Sequence, residues 1–264
     1  MSGLVDAVSV SAGAAHACAS KADGTVWCWG SNARGQTGSG SPIDTANIVP
    51  IQVSELAGVA AVASGGDHSC AIIGGAVWCW GSNSRGQLGD GLSHQICAGS
   101  DCSRVPVQVS GLSDVVAIEL GNQHSCATRT DGSAWCWGYN AAGCLGDGSN
   151  TDRPTPVQVS GLTDVATLSG GWNIHSCATR TDGSAWCWGY NSNGQLGNGN
   201  TTNHLTAVQV SGLADTVSIA AGQDSSCSLQ TDGSVWCWGY NSNGRLGDGT
   251  TTERHLPTPT SGWP

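Results

Sequence analysis

The chain has 264 residues, a formal net charge of −10, only 11% charged residues, 40 Gly, 12 Trp, 13 Cys and no Phe. That charge balance excludes the basic surface that nucleic acid or anionic lipid would need, and no apolar run approaches the roughly 20 residues that cross a bilayer as a helix. Thirteen cysteines at regular spacing predict an oxidising compartment, because cytosolic thiols are kept reduced, so a secreted or cell-surface protein is expected.

Met1-Ser2-Gly3 leads at once into repeated sequence, so a leader is expected to have been removed, or the chain to be part of a longer precursor. One unit recurs around Trp27, Trp78, Trp135, Trp186 and Trp236, at intervals of 51, 57, 51 and 50 residues. This predicts a single repeat domain over 1–264 with copies at 4–56, 57–112, 113–162, 163–213 and 214–264. Each copy opens on a Leu-x-Asp-Val-like phrase, as in Leu112 to Val116 and Leu162 to Ala166. A short apolar strand such as Val115 to Leu120 follows, then a hairpin, a Gly-rich loop and a closing strand such as Pro156 to Val159. Four short strands at this period predict an all-β propeller with almost no helix.

The hairpin sets the cysteine pairing. In the third copy a Thr130-Asp131-Gly132 turn pairs Ala127 with Trp135 and Cys126 with Cys136, since Gly accepts the left-handed backbone that the turn requires. In the second copy both the turn (Gly74-Gly75) and the cysteine spacing are one residue shorter, so Cys70 still faces Cys79. Opposed strand residues lie within disulfide reach. Five cross-strand disulfides are therefore expected: Cys18–Cys28, Cys70–Cys79, Cys126–Cys136, Cys177–Cys187 and Cys227–Cys237. Zinc is set aside, because its ligand pairs sit in turns and these cysteines sit mid-strand between tryptophans.

The second copy carries the one sizeable insertion, Leu92 to Arg104, read as a loop pinned by a local disulfide between Cys97 and Cys102. Cys144 is left over and is read as a buried free thiol, with an intermolecular bond as the alternative. In the fifth copy Leu256 to Thr260 aligns with Arg153 to Val157 and then lapses into Ser261-Gly262-Trp263-Pro264. A defective last strand with an open edge is expected there.

The phrase W-G-x-N-x-x-G-Q-L-G-x-G stands at Trp80 to Gly91 and at Trp188 to Gly199, and at Trp238 to Gly249 with Arg245 for Gln. With Gly121 to Cys126 as G-x-x-H-S-C, it resembles the regulator of chromosome condensation repeat, including the bacterial group labelled alpha-tubulin suppressor-like. The resemblance covers essentially the whole chain and implies propeller blades of about fifty residues. Members usually close seven blades and lack a cysteine in each hairpin strand, and this chain departs in both. Nuclear members act as exchange factors on a small GTPase, a role unsuited to an acidic, disulfide-rich chain. Some secreted bacterial relatives bind and inhibit enzymes through one propeller face, which implies a binding role.

Remaining motifs are weighed against plain structure. His16, His68, His124 and His175 hold equivalent positions, but the fifth copy has Ser225. They are read as capping a turn or bonding a neighbouring blade, not as a metal ring. Gly-Asp-Gly at 89–91, 146–148 and 247–249 lacks the alternating oxygen ligands of a calcium loop and is read as turn chemistry. Trp27/Trp29 and its four counterparts are assigned to packing between blades. Asn200-Thr201-Thr202 is a glycosylation pattern. No nucleophile elbow or phosphate-cradling loop occurs. A non-enzymatic extracellular module without metal or cofactor is therefore expected, binding a protein or glycan through Trp172, Trp263, His94, Asp101 and Arg104. The alternative is a self-assembling subunit that exchanges a strand at the open edge.

Overall fold

The computed structural model describes residues 4–42, 46–172 and 174–262. Among the described residues all the regular structure is strand except one 3-10 turn, Ala141–Gly143. The chain divides into two compact units: residues 1–130 with 137–139 and 152–156, and residues 131–136, 140–151 and 157–264. The strands form five sheets.

Sheet 1 holds β1 (Ala7–Ala12), β2 (His16–Lys21), β3 (Val26–Gly30) and β4 (Asn47–Gln52). Sheet 2 holds β5 (Val59–Ser64), β6 (His68–Ile73), β7 (Ala76–Ser82), β8 (Gln95–Cys97) and β9 (Ser100–Gln108). Sheet 3 is β10 (Val115–Leu120), β11 (His124–Arg129), β12 (Ala134–Gly138) and β13 (Arg153–Gln158), and its strands are shared between the two units. Sheet 4 is β14 (Val165–Gly170), β15 (His175–Arg180), β16 (Ala185–Gly189) and β17 (His204–Gln209). Sheet 5 is β18 (Thr216–Ala221), β19 (Ser225–Gln230), β20 (Val235–Gly239) and β21 (Arg254–Pro259). Each sheet meanders in sequence order, except that the second runs β5-β6-β7-β9-β8.

The hairpin register follows turn length, as the sequence requires. Cys177 faces Cys187 across β15 and β16, and Cys70 faces Cys79 across the shorter Gly74-Gly75 turn. Disulfides join Cys18–Cys28, Cys70–Cys79, Cys177–Cys187 and Cys227–Cys237 with Cα atoms 4.0–4.1 Å apart. Cys126 and Cys136 are also disulfide-bonded. The turn itself is held by its own side chains. Asp182 Oδ1 accepts from the Ser184 N–H and hydroxyl, and Ser184 Oγ accepts from Trp186 Nε1 at 2.9 Å. The same relay runs through Asp23, Thr25 and Trp27 and through Asp131, Ser133 and Trp135. The glycine after the second Trp has a φ near +100° in every copy, and a Cβ on Gly81 would lie 2.5 Å from the Asp67 carbonyl. Only Gly fits there, which accounts for the Trp-Gly dipeptide.

Two expectations are corrected. The fifth sheet is complete: β21 pairs with β20, Gly239 facing Arg254 and Trp236 facing Pro259. The prolines at 257 and 259 are accommodated because β21 is an edge strand, where a missing N–H costs no ladder bond. The insertion in copy two is also not a bare loop. Its residues form the hairpin β8–β9 and make sheet 2 five-stranded.

Candidate interaction surface

Strand alternation puts each disulfide on one face of its sheet and the second Trp of each pair on the other. These faces meet between neighbouring sheets. Cys18, Val26, Cys28 and Val53 of sheet 1 pack with Val62, Ala71 and Trp80 of sheet 2. Cys177, Cys187, Leu196 and Val210 of sheet 4 pack likewise with Ile219 and Trp238 of sheet 5. Trp80, Trp137, Trp188 and Trp238 have no exposed surface.

Each of these indoles donates to one loop carbonyl of the preceding copy. Trp80 Nε1 reaches Gln36 O at 2.9 Å, Trp137 reaches Gln87 O at 2.9 Å, Trp188 reaches Cys144 O at 2.9 Å and Trp238 reaches Gln195 O at 2.8 Å. A serine joins three of these pairs: Ser125, Ser176 and Ser226 donate to Gln87 O, Cys144 O and Gln195 O. The Gly-rich loop is shaped by its Asn. Asn191 Oδ1 accepts from the Leu196 N–H, and its amide group bonds the carbonyls of Asn200 and Thr202. The Gly-Asp-Gly carboxylates act as turn caps: Asp147 accepts from the Ser149 N–H and hydroxyl, and Asp248 from those of Thr250.

The histidines belong to the same interlock. His16, His68 and His175 contact Ser69, Ser125 and Ser226 through Nε2 at 2.8, 2.9 and 3.1 Å. Ser125 and Ser226 spend their hydrogens on loop carbonyls, so His68 and His175 must donate from Nε2–H. Burial lowers His16 to about 4, against an opposing pull from Asp67. Burial lowers His68 to about 3, helped by the neighbouring His124 and His16. Among the described residues no group of three or more His, Cys, Asp or Glu is arranged to hold a metal ion.

Outside the interlock stand β8 and the start of β9 with which it pairs, Ser100 to Cys102. Gln95, Ile96 and Cys97 face Cys102, Asp101 and Ser100, and Cys97 and Cys102 are disulfide-bonded with Cα atoms 5.8 Å apart. Asp101 is used internally, accepting from the His94 N–H at 2.7 Å and from Asn83 Nδ2 at 2.9 Å. His94 Nε2 lies 2.9 Å from Asp90 Oδ2. Arg104 is half-buried, and its carbonyl accepts from the Gly40 N–H. Leu92 and Ile96, which the sequence reasoning passed over, are 64% and 68% exposed. The signal for them was two apolar residues in an otherwise polar insertion. Trp172 is 42% exposed, in the β14–β15 turn at the corresponding end of sheet 4. Trp263 lies outside the described residues. Cys144 is buried and not disulfide-bonded, and its carbonyl serves the interlock.

A family model described as the RCC1-like domain matches residues 2–263. The human E3 ubiquitin-protein ligase HERC2 is 34% identical over 207 residues, 75% of this chain and 4% of that protein. The Arabidopsis thaliana ultraviolet-B receptor UVR8 is 30% identical over 215 residues, 79% of this chain and 47% of its own length. This chain therefore spans less than half of either relative. Among solved structures, human WBSCR16 superposes with a TM-score of 0.82 at 22% identity, covering 97% of this chain and 67% of that one. Saccharomyces cerevisiae Prp20p, described with its binding to Gsp1p and histones, superposes at 0.78 and 21%, covering 97% and 63%. The five sheets are propeller blades, and the chain belongs to the RCC1-like domain family.

Proposed function

We propose that this chain is a non-enzymatic extracellular interaction module whose stapled β8–β9 hairpin contacts a protein or glycan. The observation that carries the reading is the pair Leu92 and Ile96, exposed on β8 and on the segment that leads into it, an extra strand that among the described residues only sheet 2 has. Single exposed apolar residues are ordinary, but Ile96 stands on β8 next to the Cys97–Cys102 disulfide, where a strand already ordered in the free chain lowers the entropy cost of binding. His94 and Asp101 act by holding the hairpin's shape, while Arg104 and Trp172 are further contact residues. Trp263 is retained as a contact residue from its sequence alone. The protein-binding half of the reading is supported by Prp20p, which shares the fold and is described as binding Gsp1p and histones. The extracellular half rests on twelve disulfide-bonded cysteines, a load that a reducing cytosol does not sustain.

Two measurements test this. Alkylation of the denatured native protein without reductant should label one thiol, Cys144, and labelling of all thirteen cysteines would remove the extracellular assignment. Binding to arrayed glycans and extracellular proteins should fall at least about tenfold in a Leu92→Asp/Ile96→Asp variant, as for loss of an apolar anchor. Undiminished binding by that variant would discard the hairpin as the contact element.

A further inference from the structure

The loop between β16 and β17 of sheet 4 carries a reactive group that the fold does not use. In copies three, four and five the Gly-rich loop ends on the same two caps. Asp147, Asn198 and Asp248 each accept the N–H two residues on, at 3.0, 3.3 and 2.9 Å. Ser149, Asn200 and Thr250 then accept the N–H of Thr151, Thr202 and Thr252, at 3.3, 2.9 and 3.2 Å. A buried Asn of each loop, Asn140, Asn191 or Asn241, bonds the carbonyls of both of these positions.

The second cap differs in what becomes of its hydrogens. The Ser149 and Thr250 hydroxyls donate to Asp147 and Asp248 at 2.8 Å, which ties each of them into its turn. In copy four both members of the pair change, to Asn198 and Asn200. Asn200 Oδ1 takes the accepting roles, from the Thr202 N–H and from Asn191 Nδ2 at 3.3 Å. Its Nδ2 donates to no described residue, and Asn200, Thr201 and Thr202 are all exposed. A hydroxyl is enough for this turn in copies three and five, so the amide nitrogen of Asn200 is surplus to the loop. Thr202 is ordinary for the repeat, since Thr151 and Thr252 hold its place. What is particular to copy four is an Asn two residues before it, with Thr201 and not Pro between them. No other Asn of the chain is followed by Ser or Thr at that spacing.

We infer that Asn200 is a modification site that carries N-linked sugar. Asn-x-Thr without Pro is the acceptor sequence for such a glycan. The bulky product needs a surface position and an Nδ2 that the fold has not spent, and Asn200 meets both conditions. The donor is an oligosaccharide esterified to a lipid diphosphate, and a transferase supplies the base. The C1–Nδ2 bond forms, the C1–O bond to the diphosphate breaks, the diphosphate leaves with the bonding pair, and one amide proton passes to the base. Oδ1 is unchanged in the product, so both hydrogen bonds that it accepts survive. The inference rests on the extracellular half of the proposed function, because this acceptor sequence is used in secreted proteins. It is independent of what the hairpin binds.

The test is peptide mass spectrometry on the protein purified from the cells and medium that produce it. After reduction, the tryptic peptide Thr181 to Arg245 should carry hexose and N-acetylhexosamine mass. An amide-cleaving N-glycosidase should remove that mass and leave Asp at position 200. An unmodified peptide from protein whose twelve cysteines are disulfide-bonded would overturn the site and leave the extracellular assignment standing. Thirteen free thiols would overturn both. Sugar found on Thr201 or Thr202 instead of Asn200 would also overturn the site. Variants made in the same cells separate acceptor from loop. Thr202→Ala should abolish the modification and Thr202→Ser should retain it, because the acceptor sequence takes either hydroxyl. Sugar persisting at Asn200 in Thr202→Ala would overturn the assignment. Asn200→Ser copies the cap that Ser149 provides, so it should lose the sugar yet melt at the temperature of the enzymatically deglycosylated chain.

Discussion

Sheet 2 and sheet 1 present the same sequence positions toward the preceding place in the array, with different results. On sheet 2, Val62 is 8% exposed and Trp80 is fully buried under the loop of sheet 1. On sheet 1, Val10 is 71% exposed and Trp29 half-buried. The repeat therefore encodes a junction as much as a sheet. A Val, a Trp and a disulfide become core only when the next copy supplies the opposite half, as expected where each unit buries little surface alone.

The sharpest way to separate the two environments is truncation of the tryptophan. Trp188→Ala empties a fully buried site and removes the donor to Cys144 O, and should cost about 3–5 kcal/mol in denaturant unfolding. Trp29→Ala, at a half-buried site, should cost well under half of that. Equal losses would mean that the end face is as tightly packed as a junction.

Acid should also discriminate between junction and end. His16 and His68 are neutral in the fold, at about 4 and about 3, against 6.5 for an unfolded histidine. Between those values the unfolded chain binds more protons, so stability is level above pH 6.5 and falls as pH drops toward 4. Each histidine contributes a slope of about 1.4 kcal/mol per pH unit in that window. Sheet 5 carries Ser225 at this place and adds no such slope. His68→Asn should remove about one histidine's share of the slope, and an unchanged pH dependence would show that these imidazoles are not desolvated. A smaller effect comes from copying the end into the interior. Ser125→Ala gives sheet 3 the methyl that Ala17 gives sheet 1 and leaves the His68 Nε2–H unpaired, at about 1–3 kcal/mol.

Much of this was legible in the sequence because the repeat supplies its own controls. The shorter cysteine spacing in copy two matches a turn one residue shorter, which sets the hairpin register that β6 and β7 adopt. Alternation of Trp and Cys gave the two packing faces. The closing strand of sheet 5 was misjudged because Pro257-Thr258-Pro259 was set against Pro154-Thr155-Pro156, two residues out of register: Arg254 takes the place of Arg153, so β21 is complete at Pro259, before the chain reaches Ser261. The histidine–serine interlock was out of reach in its detail, since which Ser each His meets depends on how consecutive sheets pack, and they lie some fifty residues apart. The insertion's hairpin was missed because its strands are only partly apolar, and because the turn uses Ala98, a residue with no left-handed preference.

That turn gives the smallest effect and the cleanest local probe. β8 and β9 are joined by Ala98-Gly99, with φ of +47° and +80°. A two-residue turn with both φ values positive suits the twist of a hairpin but favours Asn or Gly at its first position. An alanine in the left-handed region costs roughly 1–2 kcal/mol. Ala98→Gly relieves that strain but also frees the unfolded chain, so the net gain should be below about 1 kcal/mol. Hydrogen exchange should report the gain as slower exchange of the ladder amides between β8 and β9, with those of sheet 4 unchanged. Should Ala98→Gly instead speed exchange in the hairpin, the left-handed turn is not the conformation the disulfide holds, and the display of Leu92 and Ile96 would need a different geometry.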